Sequence, residues 1–294
     1  MVRWVSDLVA PGGGGRIRIG NVLIDLGRLD RLSPGERLQV QAELLKAEEL
    51  RARNPLQFYR PASSKHRAFH ASRDPLKGFQ GGNRSGKTTT TIVDDLIQMV
   101  PGEYLPEHLR GFKRWECPFY CRVMTPDMER TMKPVIHQKL KEWVPRDLLR
   151  GGEWEKSFDT RAQALRLECG CRFDFLSYEM ALDKFGGAAL HRCHYDEEPP
   201  EDIRWECLMR LVDFNGQEVF SFTPLKGLTW AHRRIYKNRR QPGVTLVEVK
   251  TEDNPHLSSE GVGRLYQGGA LGLPEEQVRM RLDGEFVNEA GMVY

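Results

Sequence analysis

An α/β fold, with a mainly parallel central sheet flanked by helices and a small lid or linker subdomain appended, is predicted by three features of this 294-residue sequence. Apolar strand-like runs alternate with helix-period runs from Leu56 onward. A glycine-rich loop separates one such strand from one such helix, and a later strand ends on adjacent carboxylates. Composition sets the frame. Hydrophobic residues make up 39% and charged residues 29%, the balance of an ordinary globular chain rather than a disordered or fibrous one. No apolar run approaches the roughly 20 residues that span a bilayer, and Met1-Val2-Arg3-Trp4 lacks the apolar core of a secretory signal. A soluble intracellular protein with reduced thiols is the expectation.

Taken in order, the first thirty residues carry scattered basic residues and a glycine run at 12–15, and read as an arm with little core of its own. Ser33-Pro34-Gly35-Glu36 has the form of a helix start, with serine as cap, proline in the first turn and glutamate at the third position. The helix that follows carries a partial apolar stripe, Leu38, Leu44, Leu45 and Leu50, which is expected to pack on the main domain. Strands are predicted over residues 76–80, 119–124, 190–196, 218–223 and 244–249, with a hairpin over 165–176.

Gly81-Gly82-Asn83-Arg84-Ser85-Gly86-Lys87-Thr88 fits the phosphate-loop pattern G-x-x-x-x-G-K-[ST] at every fixed position. The strand over 76–80 precedes it. Behind it Ile92, Val93, Leu96, Met99 and Val100 recur at helical spacing until Pro101-Gly102 ends the run. In that context glycines let backbone N–H groups close on phosphate oxygens, Lys87 reaches the β- and γ-phosphates, and Thr88 offers its hydroxyl to Mg²⁺. The fold class is therefore that of a P-loop NTPase.

A second feature lies about 110 residues later, where Leu190-His191-Arg192-Cys193-His194-Tyr195-Asp196-Glu197-Glu198 runs into Pro199-Pro200. Asp196 is the candidate Mg²⁺ ligand and Glu197 the candidate base for the attacking water. Taken alone, three acids before two prolines also suit an exposed turn. His191, Arg192 and His194 make this strand less apolar than a central strand should be. The strand over 218–223 ends at Thr223-Pro224, and a hydroxyl there can sense a γ-phosphate; an ordinary strand followed by a proline turn is the alternative.

Other clusters carry less. The net charge of +3 is too small to argue for nucleic acid. Arg233, Arg234, Lys237, Arg239 and Arg240 crowd one segment that could track phosphates, or could be a solvated helix face. Of the six cysteines, Cys117, Cys121 and the pair in Cys169-Gly170-Cys171 do not show C-x₂-C spacing, so buried or incidental thiols are expected rather than a zinc site. His191 and His194 stand three apart, on opposite faces of a strand, which argues against a shared metal.

In order, the phosphate loop, Tyr195-Asp196-Glu197-Glu198-Pro199-Pro200, Ser221-Phe222-Thr223-Pro224-Leu225-Lys226-Gly227, Asp253-Asn254-Pro255-His256-Leu257 and Arg281-Leu282-Asp283-Gly284-Glu285-Phe286 resemble the large terminase subunit of tailed bacteriophages. The resemblance covers Asn54 to the end. It implies an ATP- and Mg²⁺-dependent motor that drives double-stranded DNA into a procapsid, as a homo-oligomeric ring on the capsid portal with a small terminase subunit, in the host cytoplasm and without a membrane. Another translocase or helicase of the same loop class is the alternative.

Carried over, Glu197, Lys87 and Arg84 form the catalytic set, Arg84 matching a basic residue the family often keeps inside the loop. Gly81, Gly82, Asn83, Arg84, Ser85, Gly86, Lys87, Thr88 and Thr89, with Tyr59 and Thr223, form the nucleotide set, and Thr88 and Asp196 the metal set. Phe58-Tyr59-Arg60-Pro61 through His66 resembles the adenine-side element, although Lys65-His66 stands where the family commonly has glutamine. The implied organisation is an arm and helix over 1–53, an ATPase core over 54–250 and a lid or linker over 251–294. In the family Gly291-Met292-Val293-Tyr294 would lead into a ribonuclease-H-type nuclease, so no cleavage activity is expected of this chain.

Overall fold

The computed structural model describes residues 16–19, 22–25 and 33–287. The expectations for 1–15 and for the tail at 291–294 lie outside the described residues. Strands β1 (Arg16–Ile19) and β2 (Val22–Asp25) pair antiparallel, so part of the presumed arm is a short hairpin, and it lies against helix α1 (Pro34–Arg53). That helix starts as its sequence dictates. The Ser33 hydroxyl accepts from the Glu36 N–H at 3.3 Å, and the Glu36 carboxylate accepts from the Ser33 N–H at 2.8 Å, satisfying two terminal donors reciprocally.

The stripe on α1 does not do what its sequence suggests. Leu38, Leu45 and Leu50 are 68%, 54% and 47% exposed, and Ala47 is the helix's buried residue. The spacing of these leucines is too irregular to hold one continuous face against the domain.

The rest is one twisted α/β layer structure. Helix α2 (Ser64–Ala71) leads to β3 (Leu76–Gly81), the loop and α3 (Lys87–Met99). Then come α4 (Glu107–Arg110), β4 (Tyr120–Thr125), α5 (Gln138–Trp143), α6 (Trp154–Ser157), β5 (Phe158–Asp159), β6 (Ala164–Arg166), β7 (Arg172–Ser177), β8 (Arg192–Asp196), α7 (Glu201–Arg210), β9 (Gln217–Phe222), β10 (Val244–Val249), α8 (Ser259–Tyr266) and α9 (Glu275–Val278). The eight-stranded sheet runs β10-β3-β9-β8-β4-β7-β6-β5. The six strands from β10 to β7 are parallel and only the β7-β6-β5 edge is antiparallel, so the predicted mainly parallel sheet is what forms. The carboxyl ends of β3, β8 and β9 consequently share one edge, where ligands bind such sheets.

Strand period separates two cores. Ile92, Leu96, Val123, Ile136, Leu140 and Phe173 pack on the α3 side, and Met124, Cys193, Tyr195, Ile203, Phe220 and Trp230 pack around α7. Cys193 and Tyr195 of β8 point to the second core, which leaves Arg192, His194 and Asp196 facing α3.

The polar residues that broke the apolar run of β8 are thereby explained. Arg192, 1% exposed, donates to Asp94 at 2.8 Å and to Asp95 at 2.9 Å, and His194 meets the Asp95 carboxylate at 2.6 Å. Asp94 also receives Lys77 of β3 at 2.9 Å and His70 of α2 at 2.8 Å. Lys77, Arg192 and His70 hold the Asp94 carboxyl well below the usual range against the opposing effect of burial, so it is a full anion inside the protein. Removing one partner of such a group strands charge in a dry site, at about 3–5 kcal/mol. We expect Arg192→Met to lower the urea-unfolding free energy by that amount; a loss within 0.5 kcal/mol, at about the scale of neutral surface changes, would mean that water reaches the network.

Candidate nucleotide site

The loop between β3 and α3 is shaped by glycines for two different reasons. A Cβ on Gly82 would stand 2.1 Å from the Leu282 carbonyl oxygen and 2.6 Å from the Thr251 hydroxyl, so only glycine fits between the loop and the chain that crosses it. Gly86 has φ +92°, the left-handed conformation that costs a side chain about 1–2 kcal/mol. From Gly86 the chain enters α3, whose first-turn N–H groups at Lys87, Thr88 and Thr89 have no intrahelical acceptor. They are anion donors at the positive end of the helix.

Lys87 is buried and its ammonium donates to the carbonyls of Gly81 (2.9 Å) and Gly82 (2.7 Å) and to the Thr223 hydroxyl (2.9 Å). Burial pulls it down to about 8, against the raising influence of Glu197 and Asp196. The Thr223 hydroxyl in turn lies 3.4 Å from the Asn83 side-chain oxygen. Asp196 accepts from the Ser221 hydroxyl at 3.1 Å and stands near the Thr88 hydroxyl, and burial pushes its carboxyl up. Glu197 accepts from the Thr223 N–H at 3.1 Å, while burial and then the Asp196 charge push it up to about 7.

The turn that carries Glu197 is held against preference. Its φ is +62°, maintained by its own N–H donating to Ser221 O at 2.7 Å. The Tyr178 hydroxyl sits 3.0–3.2 Å from the carbonyls of Met124, Asp196 and Glu197. Glu198 leaves the cluster, its carboxylate held by the Thr229 hydroxyl at 2.7 Å and the Ala231 N–H at 3.4 Å.

No protein-family profile matches the chain. It is 22% identical to the large terminase subunit of Salmonella phage P22, over 85% of this chain and 60% of that protein. The ATPase domain of the Thermus phage P74-26 large terminase superposes with a TM-score of 0.55 at 16% identity, covering 79% of this chain and 96% of that one. The large terminase of a thermophilic bacteriophage superposes with a TM-score of 0.57 at 15% identity, covering 78% and 54%. The chain has the fold of a large terminase ATPase domain. It spans 60% of the length of the curated relative it matches.

On that terminase fold most of the residues singled out by sequence come together. Lys87, Thr88, Asp196, Glu197 and Thr223 converge at the carboxyl edge, and Asn83 joins them. Arg84 is exposed at the loop's tip with φ +59°. Ser85 is buried, and its hydroxyl closes on Gly82 O at 2.8 Å. Tyr59 is a correction. It is 4% exposed, its ring packs edge-on to Trp143, and its hydroxyl hydrogen-bonds His70 Nε2 at 2.9 Å. It is a core residue behind α3, since a phenol between two aromatic partners is better satisfied inside than at the loop.

The terminase-like loop also has partners that its sequence does not announce. His66 Nε2 meets Ser85 O at 3.0 Å, Asn254 donates to Arg84 O at 2.7 Å, the Thr251 hydroxyl donates to Asn83 O at 2.7 Å, and Asn83 N–H donates to Arg281 O at 2.5 Å. Lys65 holds Asp253 at 2.6 Å. The motif around Asp253-Asn254 was the only local signal for these contacts. Beside Arg84, Leu257, Val262, Leu265 and Leu273 line an apolar cleft of about 300 Å³.

Proposed function

We propose that this chain is the ATPase motor domain of a phage large terminase, which hydrolyses ATP to move double-stranded DNA into a procapsid. The observation that carries the reading is the meeting of Lys87, Thr88, Asp196, Glu197 and Thr223 at one sheet edge, from three separate stretches of the sequence. The likeness to the P22 large terminase supports the packaging role.

Two neighbouring carboxylates in a buried place, one touching a threonine hydroxyl at a helix start, form a hard oxygen donor set suited to Mg²⁺. Thr88 and Asp196 would hold the cation. Bound there, it would neutralise charge on the phosphate oxygens. Lys87, parked on its own loop's carbonyls, exchanges them for β- and γ-phosphate oxygens. Glu197 takes the proton of the attacking water, and Thr223, bonded to Lys87, Asn83 and Glu197 at once, links the γ-phosphate position to β9. The apolar cleft beside Arg84 is of a size for a purine, and we assign adenine to it in place of Tyr59.

The organisation that follows is an arm and helix over 1–53, a core over 54–250 and a lid from 251, whose chain crosses the phosphate loop. Among Arg122, Arg130, Arg192 and Arg204, the arginines that could serve a neighbour's site, Arg122 and Arg192 are buried and Arg204 is paired with Glu218 at 2.8 Å. Arg130 is exposed. It is our candidate trans arginine in a ring on the portal, with duplex DNA and a small terminase subunit as partners in the host cytoplasm. Arg233, Lys237 and Arg240 are exposed while Arg234 pairs with Glu201 and Arg239 with Glu248, so the first three are candidate phosphate contacts.

Steady-state ATPase measured with and without long duplex DNA, across protein concentration, tests the reading. A trans arginine contributes about 10³–10⁵ in rate, so specific activity should be low in dilute protein and rise with concentration and with duplex. High activity that is indifferent to both would refute the ring motor, and strand separation on a forked substrate would favour a helicase.

A further inference from the structure

The register of two parallel strands brings Cys117 to a pair of cysteines, Cys169 and Cys171, that lies some fifty residues further along the chain. Tyr120 of β4 stands opposite Arg172 of β7, so Phe119 lies beside Cys171, and the Phe119 N–H donates to the Cys171 sulfur at 3.1 Å. Cys117 stands two residues upstream of Phe119. Cys169 stands across Gly170, whose φ of +84° makes the turn that folds Cys169 back over Cys171. The Sγ atoms of Cys117, Cys169 and Cys171 all lie within 4.8 Å of one another. Cys121, the fourth thiol considered from sequence, is buried in the core on the α3 side instead.

We propose that Cys117, Cys169 and Cys171 form a binding site for one thiophilic d¹⁰ cation of the Zn²⁺ class. Three sulfurs at the usual Zn–S bond length of about 2.3 Å stand roughly 3.8 Å apart around a tetrahedral ion. The cluster therefore needs a contraction of at most about 1 Å, in two turns and not in a strand. The surroundings favour positive charge. Cys117 and Cys169 both reach the carbonyl of Met99, at 3.3 and 3.6 Å, and that carbonyl belongs to the C-terminal end of α3, where the helix dipole attracts cations. Lys113 donates to the neighbouring Gln98 carbonyl at 2.8 Å, and its ammonium would balance the single net negative charge of a divalent ion with three thiolates. The N–H donated to Cys171 is the kind of outer contact that stabilises a ligating sulfur.

Binding is an exchange of protons for metal, with no oxidation: each S–H loses its proton to solvent and gains one metal bond. Cys117 and Cys169 are partly exposed, which leaves an entry path and a side open for a fourth ligand from solvent. The site lies roughly 20 Å from Lys87, at the opposite end of the 13-residue α3, so it would fasten the far end of that helix to the β6–β7 turn and take no part in the nucleotide chemistry.

Chelator-treated, reduced protein titrated anaerobically with Cd²⁺ should show a thiolate-to-metal charge-transfer band that saturates at one equivalent and is displaced by Zn²⁺. X-ray absorption on the zinc-loaded wild type should count three sulfur neighbours. Cys117→Ser, at a half-buried position, should fold, lose at least tenfold in affinity and reduce the count to two. No band in the wild type, fewer than three sulfurs, or an unchanged titration in the folded Cys117→Ser protein would overturn the site.

Discussion

Glu197→Gln is expected to lower ATP turnover by about 10²–10⁴-fold while ATP binding survives. The carboxamide keeps the shape and the acceptor for the Thr223 N–H, but it cannot take a proton from water. The left-handed backbone at this position, φ +62°, is held by the Ser221 and Tyr178 contacts to its main chain. Strain held at one side chain points to a task for that side chain. Single-turnover hydrolysis and a separate nucleotide-binding measurement distinguish the two effects. The neighbouring Glu198 offers no substitute, since Thr229 and Ala231 hold its carboxylate away from the loop. Near-normal turnover in a folded Glu197→Gln protein would remove Glu197 from the base role altogether.

Lys87→Ala should abolish ATP binding or turnover and leave the fold intact. The ammonium now satisfies two loop carbonyls and Thr223, all of which water can reach once the side chain is gone, so the folded state loses little. On the proposed reading the bound state loses the side-chain cation that reaches the β- and γ-phosphates. Calorimetric titration with ATP, beside a circular-dichroism melt, checks both halves. Wild-type turnover in the folded variant would refute the phosphate-loop assignment.

What the sequence disclosed and what it hid divide by distance along the chain. The phosphate loop was legible because all of its determinants fall within eight residues, and the strands were legible because their apolar runs are local. The end of β8 was legible as a pair of acids, whereas Arg192 and His194 only looked out of place. Their partners Asp94 and Asp95 lie about a hundred residues earlier, in a helix that the sequence marks only by its apolar residues. The three-cysteine cluster depends on the pairing of Tyr120 with Arg172, which no spacing rule contains. Tyr59 misled for the opposite reason: an aromatic in a familiar-looking segment says nothing about which way its ring turns. The leucines of α1 misled because a partial stripe with irregular spacing does not make a continuous face to pack.

The buried charges beneath α3 also decide which parts of this molecule can be displaced. Asp94 and Asp95 bind α3 to β3 and β8 through contacts that cannot part without stranding charge, so helix and strands behave as one stiff plate. A softer seam among the described residues is on the other side of the loop, where hydrogen bonds between neutral groups, from Asn83 to Arg281, from Thr251 to Asn83 and from Asn254 to Arg84, join it to the crossing chain. Each bond there is worth about 1 kcal/mol, an energy that thermal motion and nucleotide chemistry can both spend. On the proposed ATPase reading, the stroke would be a rocking of the chain from 251 onward against a rigid anvil, with its pivot at the phosphate loop itself.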